Sequence, residues 1–276
     1  MKEAWLYFIK WDGYKKPAAG YLSLQHILFA TGFVIVTVLL ALYFARRSRG
    51  NEKAVDKTLR WAAAVDIMLY ILRIVMMSVK HHDAMEFRSQ MPFFLCRFNA
   101  VAIMLIGFGK GNLKKMATNF LAVYAPVGWL FGTYFATWAN NSALLTYDAI
   151  NGTAEHSVQG FVMLYLILSG RVKLSKKDFL NNALLLGALC ALALMMNGIN
   201  TWLPSAEHNY EVNYMYLITA DGTPFSILYD AAGGNAVLYA VNIILLHYLW
   251  GVLCISFVLL VKRVRRRGMQ PQSAPA

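Results

Sequence analysis

The segment MPFFLCRFNA (91–100) carries a thiol, a fixed cation and an amide within four positions of an apolar run. A cysteine thiolate is a strong nucleophile, but a buried thiol needs a base or a nearby positive charge to ionise. His156 could accept the proton of Cys96. Asn99, three residues after the cysteine, would share its helix face and donate to an oxyanion. These residue types suit acyl transfer through a thioester.

Two arginines, Arg73 and Arg97, lie inside apolar runs that we predict to cross a membrane. A guanidinium is costly to bury there, so such a residue marks a functional site by default. Either arginine would stabilise a thiolate or hold an anionic head group, and His26 would support the site from the first span. A structural interpretation stands beside this one. A membrane cysteine such as Cys96 is more often a packing residue, and Arg73 and Asp66 share a helix face where they could only satisfy neighbouring helices.

The elements that must position these residues are membrane helices. Of the 276 residues, 58% are apolar and 14% are charged, whereas about a quarter are charged in a soluble domain. Long apolar runs recur along the chain, which predicts an all-α polytopic membrane bundle. The net charge of +12 reflects the placement of basic loops, and no nucleic-acid partner is expected. The three cysteines show neither disulfide nor metal-ligand spacing.

We predict a domain of seven transmembrane helices over residues 22–261, each span near the ~20 residues that cross the hydrocarbon. Residues 1–21 would form an external interfacial segment, residues 198–235 an external loop, and residues 262–276 a basic, disordered cytoplasmic tail. The fifth span is the weakest, because polar residues occupy its first turns. The predicted spans are 22–45, 59–79, 91–108, 116–138, 154–170, 179–197 and 236–261.

The basic residues predict the orientation of the bundle. Three of the predicted connections and the tail hold 18 of the 26 lysines and arginines, and all four would lie on one side of the membrane. By the positive-inside rule the N-terminus is outside and the C-terminus is cytoplasmic. Cys96, Arg97, His26 and His156 would then lie towards the outer face.

The same motif carries a resemblance to a known family. MPFFLCRFNA resembles the Leu-Pro-x-His-Leu-Cys segment of the YwaF-like bacterial integral membrane proteins. The resemblance continues with His26, His156, and NYMYL (213–217) followed by Pro224. It implies a multi-pass protein of the bacterial cytoplasmic membrane.

The YwaF-like family is similar to a eukaryotic seven-span acyltransferase that moves acyl chains onto ether-linked phospholipids. It is more distantly similar to membrane hydrolases of fatty-acid esters. The acyltransferase uses a cysteine in this motif and a later histidine, which Cys96 and His156, sixty residues apart, match one for one. One position departs from the pattern, because Phe94 stands where relatives often have histidine. That departure puts the activity in doubt if the histidine supports catalysis.

Two function classes follow. The leading one is a lipid acyltransferase or acyl-ester hydrolase acting on membrane phospholipids or lysolipids, with no cofactor and no metal expected. The alternative is a non-enzymatic small-solute transporter or ligand-binding membrane protein, with the buried charges lining a pathway. Clustering of the ionisable groups near the outer end favours a site. The predicted site residues are Cys96 and His156 (catalytic), His26 and Asn99 (supporting), and Arg97, Arg73, Asn213 and Tyr214 (substrate-binding).

Overall fold

A computed structural model describes residues 8–9, 17–81, 88–136, 139, 142–202, 213–218, 220 and 225–268. The described part of the chain is helical and contains no strand, which confirms the all-α prediction. Pro224, most of the N-terminal segment and the end of the tail lie outside the described residues. The helices are α1 (Leu24–Arg47), α2 (Glu52–His81), α3 (Leu95–Phe108), α4 (Gly111–Tyr134), α5 (Tyr147–Leu168), α6 (Lys177–Trp202), α7 (Ser226–Ala231) and α8 (Ala236–Gly268).

The long helices α1–α6 and α8 overlap the seven predicted spans. Three segments are long and apolar enough to cross a membrane by length and composition, namely Leu24–Arg47, Lys177–Asn200 and Ala236–Val261. Helix α3 is a shorter apolar helix. Membrane-spanning helices are therefore present, while the count of seven spans and the orientation of the termini stay predictions.

Several helix boundaries differ from the expected spans, α2 for example beginning at Glu52 rather than at residue 59, and two of them bear on the site. Helix α3 begins at Leu95 rather than at residue 91, because Pro92 lies in a turn and Phe94 is extended. Helix α5 begins at Tyr147 rather than at residue 154. There the Thr146 hydroxyl accepts a hydrogen bond from the backbone N–H of Ala149, which caps the helix. The polar first turns of α5 are thus part of one continuous helix.

The helices pack around two hydrophobic cores that share α4. The first core lies among α2, α3, α4 and α5, and the second joins α4 to α6 and α8. Helix α5 packs against α1 and α4, and α3 packs between α2 and α4. Large buried side chains of the first core are Leu59, Ile103, Ile106, Leu121 and Tyr165, and those of the second are Tyr124, Leu186, Leu189, Tyr239 and Ile243.

Pro126 lies inside helix α4. A proline lacks the N–H that would bond to the carbonyl four residues earlier, here that of Ala122. The next carbonyl, that of Val123, accepts from the indole of Trp250 on α8 at 2.8 Å. This hydrogen bond ties the second core to the segment of α4 that faces the candidate site.

Candidate active site

Cys96 lies in the first turn of α3, nearer the helix end than the predicted span had placed it. Phe94 is the N-cap residue and makes no side-chain capping bond, and the first intrahelical bond runs from Phe98 N–H to the Phe94 carbonyl at 2.8 Å. The N–H groups of such a first turn have no intrahelical acceptor and form the positive end of the helix dipole. A half-buried thiol in this position is next to a region that stabilises developing negative charge.

The main chain of Cys96 is bonded to helix α5. The side-chain amide of Gln159 donates from Nε2 to the Cys96 carbonyl at 2.9 Å. The Oε1 atom of the same amide accepts from Asn99 Nδ2 at 3.3 Å. Gly128 of α4 closes over this pair, because a Cβ there would lie 2.8 Å from both amide groups. The predicted oxyanion donor Asn99 therefore uses its Nδ2 within the helix interface.

His156 lies on α5 one turn before Gln159 and packs against α4. A Cβ at Gly132 would come within 2.2 Å of the imidazole Cε1, so only glycine fits beneath the ring. The buried Nδ1 atom has no hydrogen-bond partner among the described residues. The imidazole is therefore held by packing on α4.

The residues adjacent to Cys96 and His156 form a buried ion pair. Arg97 Nη1 contacts Glu155 Oε2 at 2.6 Å, and Asn151 Nδ2 donates to Glu155 Oε1 at 3.1 Å. Arg97 Nη2 donates to Gln90 Oε1 at 2.6 Å, and the guanidinium lies over the ring of Tyr70 at 5.2 Å. Each hydrogen bond that the structure describes for the Arg97 side chain is made with a partner inside the protein.

Arg73 repeats this arrangement with a second carboxylate. Its Nη1 lies 3.0 Å from Asp148 Oδ1, and its Nε donates to Gln90 Oε1 at 3.3 Å. The Gln90 side-chain oxygen therefore accepts from both arginines. Asp66 lies on the same helix as Arg73, seven residues earlier, and is buried with its Oδ2 lacking a partner among the described residues.

His26 is placed beside the site but not within its bonding network. Its Nε2 pairs with the Thr133 carbonyl at 3.2 Å, and its Nδ1 accepts from the Leu22 N–H at 3.3 Å. Both ring nitrogens therefore have partners. Because Thr133 follows Gly132, this histidine fixes the segment of α4 on which His156 packs.

The predicted substrate-binding residues Asn213 and Tyr214 lie in a short turn over α3. Asn213 Oδ1 accepts from the Ile218 N–H at 3.0 Å. Asn197 on α6 holds the Tyr214 main chain through both its amide atoms, at 2.8 and 3.1 Å. The ring of Phe94 contacts the Tyr214 ring at 5.3 Å between centroids. The turn thus packs on the residue that precedes α3.

A model of the TMEM164 family matches residues 21–261 of this sequence. The chain belongs to the TMEM164 family. This is a family of transmembrane proteins, which agrees with the apolar helices and establishes a membrane location. The relation to the YwaF-like proteins stays a resemblance. No curated protein and no solved structure matches the chain.

The sequence prediction missed several polar partners in this member of the TMEM164 family. A signal exists for those on α5, because the polar residues of that helix recur every three or four positions and therefore share one helix face. Their presence led to the prediction of a weak, late-starting span, whereas they form the face that α2 and α3 bind. The missed partners are Gln90, Asp148, Asn151, Glu155 and Gln159.

Proposed function

We propose that this protein is an integral membrane lipid acyltransferase, or an acyl-ester hydrolase, that uses Cys96 and His156 through a thioester. It would act at the outer-leaflet side of the bacterial cytoplasmic membrane. The observation that carries the proposal is the hydrogen bond from Gln159 to the Cys96 carbonyl. This bond joins the main chain of the candidate nucleophile to the helix that presents His156 one turn earlier.

In the proposed reaction the Cys96 sulfur attacks the carbonyl carbon of a phospholipid ester while His156 accepts the thiol proton. The tetrahedral intermediate collapses, the C–O bond breaks, and the departing lysolipid takes the proton from His156. The acyl chain remains on sulfur as a thioester. An acceptor hydroxyl, from a lysolipid or from water, then attacks, returns its proton through His156 and restores the thiol.

The open first turn of α3 supports this chemistry. Its N–H groups and the helix dipole favour negative charge on the thiolate and on an oxyanion near Cys96. This turn takes over the role first expected of Asn99, whose Nδ2 donates to Gln159. No metal or soluble cofactor is required, because the phospholipid is itself the acyl donor.

Head-group binding by Arg97, Arg73, Asn213 and Tyr214 stays a prediction. Each arginine is paired with a carboxylate, so a phosphate would have to replace that partner or share it. The proposed substrates remain membrane phospholipids and lysolipids.

The decisive experiment is intact-protein mass spectrometry after incubation with vesicles of phosphatidylethanolamine and phosphatidylglycerol, with lysophospholipid as acceptor. We expect an acyl mass on the wild type that neutral hydroxylamine removes and that Cys96→Ala lacks. The matched controls are Cys190→Ala and Cys254→Ala, which should both retain the adduct because these thiols lie in the second core. Acyl transfer by Cys96→Ala at the wild-type rate would disprove the proposal.

A second candidate is a non-enzymatic small-solute transporter or ligand-binding protein. The observation in its favour is Asp66, whose side chain is 2% exposed and whose Oδ2 lacks a partner among the described residues. A buried carboxylate of this kind is suited to a polar solute or cation. Under this reading Cys96→Ala leaves solute uptake into proteoliposomes unchanged, and Asp66→Asn abolishes it.

A further inference from the structure

Two side chains of α5, Glu155 and Gln159, bond across the interface to α3. Glu155 forms the ion pair with Arg97. Gln159 accepts from Asn99 and makes the second kind of bond, in which it donates to the Cys96 carbonyl. Only the second acts on the cysteine itself, because it restrains the main-chain atoms from which the thiol projects.

The amide of Gln159 is held in a fixed orientation. Its side chain is buried with 3% exposure, and its Oε1 accepts from Asn99, which has 0% exposure. With the oxygen occupied in this way, the Nε2 donor is directed at Cys96. Gly128 leaves no room for the amide to move towards α4, because a Cβ at that position would already lie 2.8 Å from Gln159 Oε1.

The Cys96 carbonyl does not need this bond in order to be satisfied. In a helix the carbonyl of residue 96 already accepts from the N–H four positions later. The Gln159 amide occupies the second lone pair of an oxygen that is already bonded. Helix formation therefore does not account for the contact, and its consequence is to fix where Cys96 lies relative to α5.

We propose that Gln159 is a positioning residue that sets the Cys96 thiol against His156. The inference deepens the acyl-transfer proposal and rests on it for the roles of the two reacting groups. Gln159 acts through the main chain of Cys96 and through its own place one turn along α5 from the histidine.

The test is alkylation of Cys96 by N-ethylmaleimide in the full-length protein in lipid nanodiscs, at neutral pH. Replacing Cys190 and Cys254 by alanine leaves Cys96 as the single thiol of the three in the sequence. Four proteins are compared in that background: the parent, Gln159→Met, His156→Ala and the double variant. We expect each single change to slow alkylation by about tenfold or more, since a misplacement of about 1 Å can reduce a rate on the order of 100-fold.

The double variant separates positioning from a general structural effect. If Gln159 acts by placing the thiol against His156, the double variant is no slower than His156→Ala alone. If Gln159 only stabilises the bundle, the two effects multiply, as for independent sites. Multiplied effects, or alkylation of Gln159→Met at the parent rate, overturn the inference.

A matched control removes another buried cross-helix amide bond. Asn119 on α4 is 2% exposed and donates to Asp178 at 2.8 Å. Asn119→Leu should lower the melting temperature and leave Cys96 alkylation at the parent rate. If Gln159→Met does not fold, Gln159→Glu keeps an acceptor for Asn99 and removes the donor to Cys96, and the same non-additivity with His156→Ala is expected.

The two proposals fail in different ways. Alkylation that depends on His156 and Gln159, without any acyl adduct from phospholipid vesicles, overturns acyl transfer and retains the positioning role. An acyl adduct on Cys96 that forms as fast in a stably folded Gln159→Met as in the parent overturns the positioning role and retains acyl transfer.

Discussion

The two cores of this protein bury polar groups in different ways. In the second core, the middle of α6 is apolar, with Leu186 and Leu189 buried, and its buried polar residues lie towards the helix ends. Asp178 caps the helix start and also accepts from Asn119 of α4, whereas Asn197 holds a turn. In the N-terminal half of α5, beside the first core, buried polar residues instead follow one another over several turns.

The difference is between single polar groups placed towards the ends of α6 and a polar face on α5 that runs over several turns and joins two other helices. The polar face of α5 bonds to α2 and α3 through the pairs made by Arg73 and Arg97. Burying charges in this way is weak evidence for stability, because desolvation offsets much of their attraction. These buried ion pairs are therefore the arrangement expected where the relative positions of α2, α3 and α5 must be maintained, in addition to their packing.

The largest effect is expected from breaking the ion pair of Arg97 with Glu155. Glu155→Gln leaves a buried guanidinium without its charge partner and should destabilise the protein by about 3–5 kcal/mol. Thermal unfolding in detergent micelles measures the loss. The matched control is Glu52→Gln, which breaks the contact of the 78% exposed Glu52 side chain with Arg171 and should cost less than about 1 kcal/mol. Equal losses of stability for Glu155→Gln and Glu52→Gln would contradict the expected difference between the buried and the exposed ion pair.

A cavity in the second core should reduce stability without touching the chemistry. Leu186→Ala removes a fully buried side chain and should destabilise by about 2–5 kcal/mol. The folded fraction should still form the hydroxylamine-sensitive adduct on Cys96 at the wild-type rate. A loss of adduct in protein that remains folded would show that the two cores are not separate in function.

A methyl group placed under His156 should instead abolish the chemistry with a smaller loss of stability. Gly132→Ala would force the imidazole away, with an expected destabilisation of about 1–3 kcal/mol and loss of the Cys96 adduct. Gly32→Ala is the control, because nothing lies within 4 Å of a Cβ at that position on α1. An alanine there should stabilise the helix by up to about 1 kcal/mol. Full activity of Gly132→Ala would remove His156 from the proposed site.

The smallest effect concerns Tyr216, in the short turn whose neighbouring residues Tyr214, Met215 and Leu217 pack in the second core. Burial raises the pKa of the Tyr216 phenol to about 12. In the unfolded chain the phenol ionises near 10, so its contribution to stability is full below pH 10 and is lost as the pH rises towards 12. Tyr216→Phe should therefore show a smaller loss of stability over that interval. The difference in absorbance at 295 nm between the wild type and Tyr216→Phe would follow this phenol among the 15 tyrosines, and a difference that titrates near pH 10 in the folded protein would contradict the assignment.

Hydrophobicity alone was sufficient to predict the all-α class and the approximate position of the long helices. The start of α5, which precedes the predicted fifth span, is instructive. That span was predicted to be the weakest because polar residues, Glu155 among them, occupy its first turns, whereas Asp148 and Glu155 are each buried against an arginine from another helix. A run of apolar residues can be recognised within one segment, but an ion pair between two helices depends on both of those helices.

The site was only partly predictable for the same reason. Residue type singled out Cys96, His156 and the two arginines, but the sequence holds no information on how α3 and α5 are rotated about their axes. Gln159 has no chemical signature of its own, and its role depends on which helix it faces. Its spacing from Glu155 was the available signal.

Gln90 gives the arginines a dependence on each other. Its single side-chain oxygen accepts from Arg73 and from Arg97, and its main-chain carbonyl accepts from Tyr70 at 2.5 Å. This residue belongs to the connection between α2 and α3, so a movement of that connection would remove one hydrogen-bond acceptor from both guanidinium groups together, while Asp148 and Glu155 would keep their ion pairs. The position of a single neutral side chain therefore acts on both arginines at the same time.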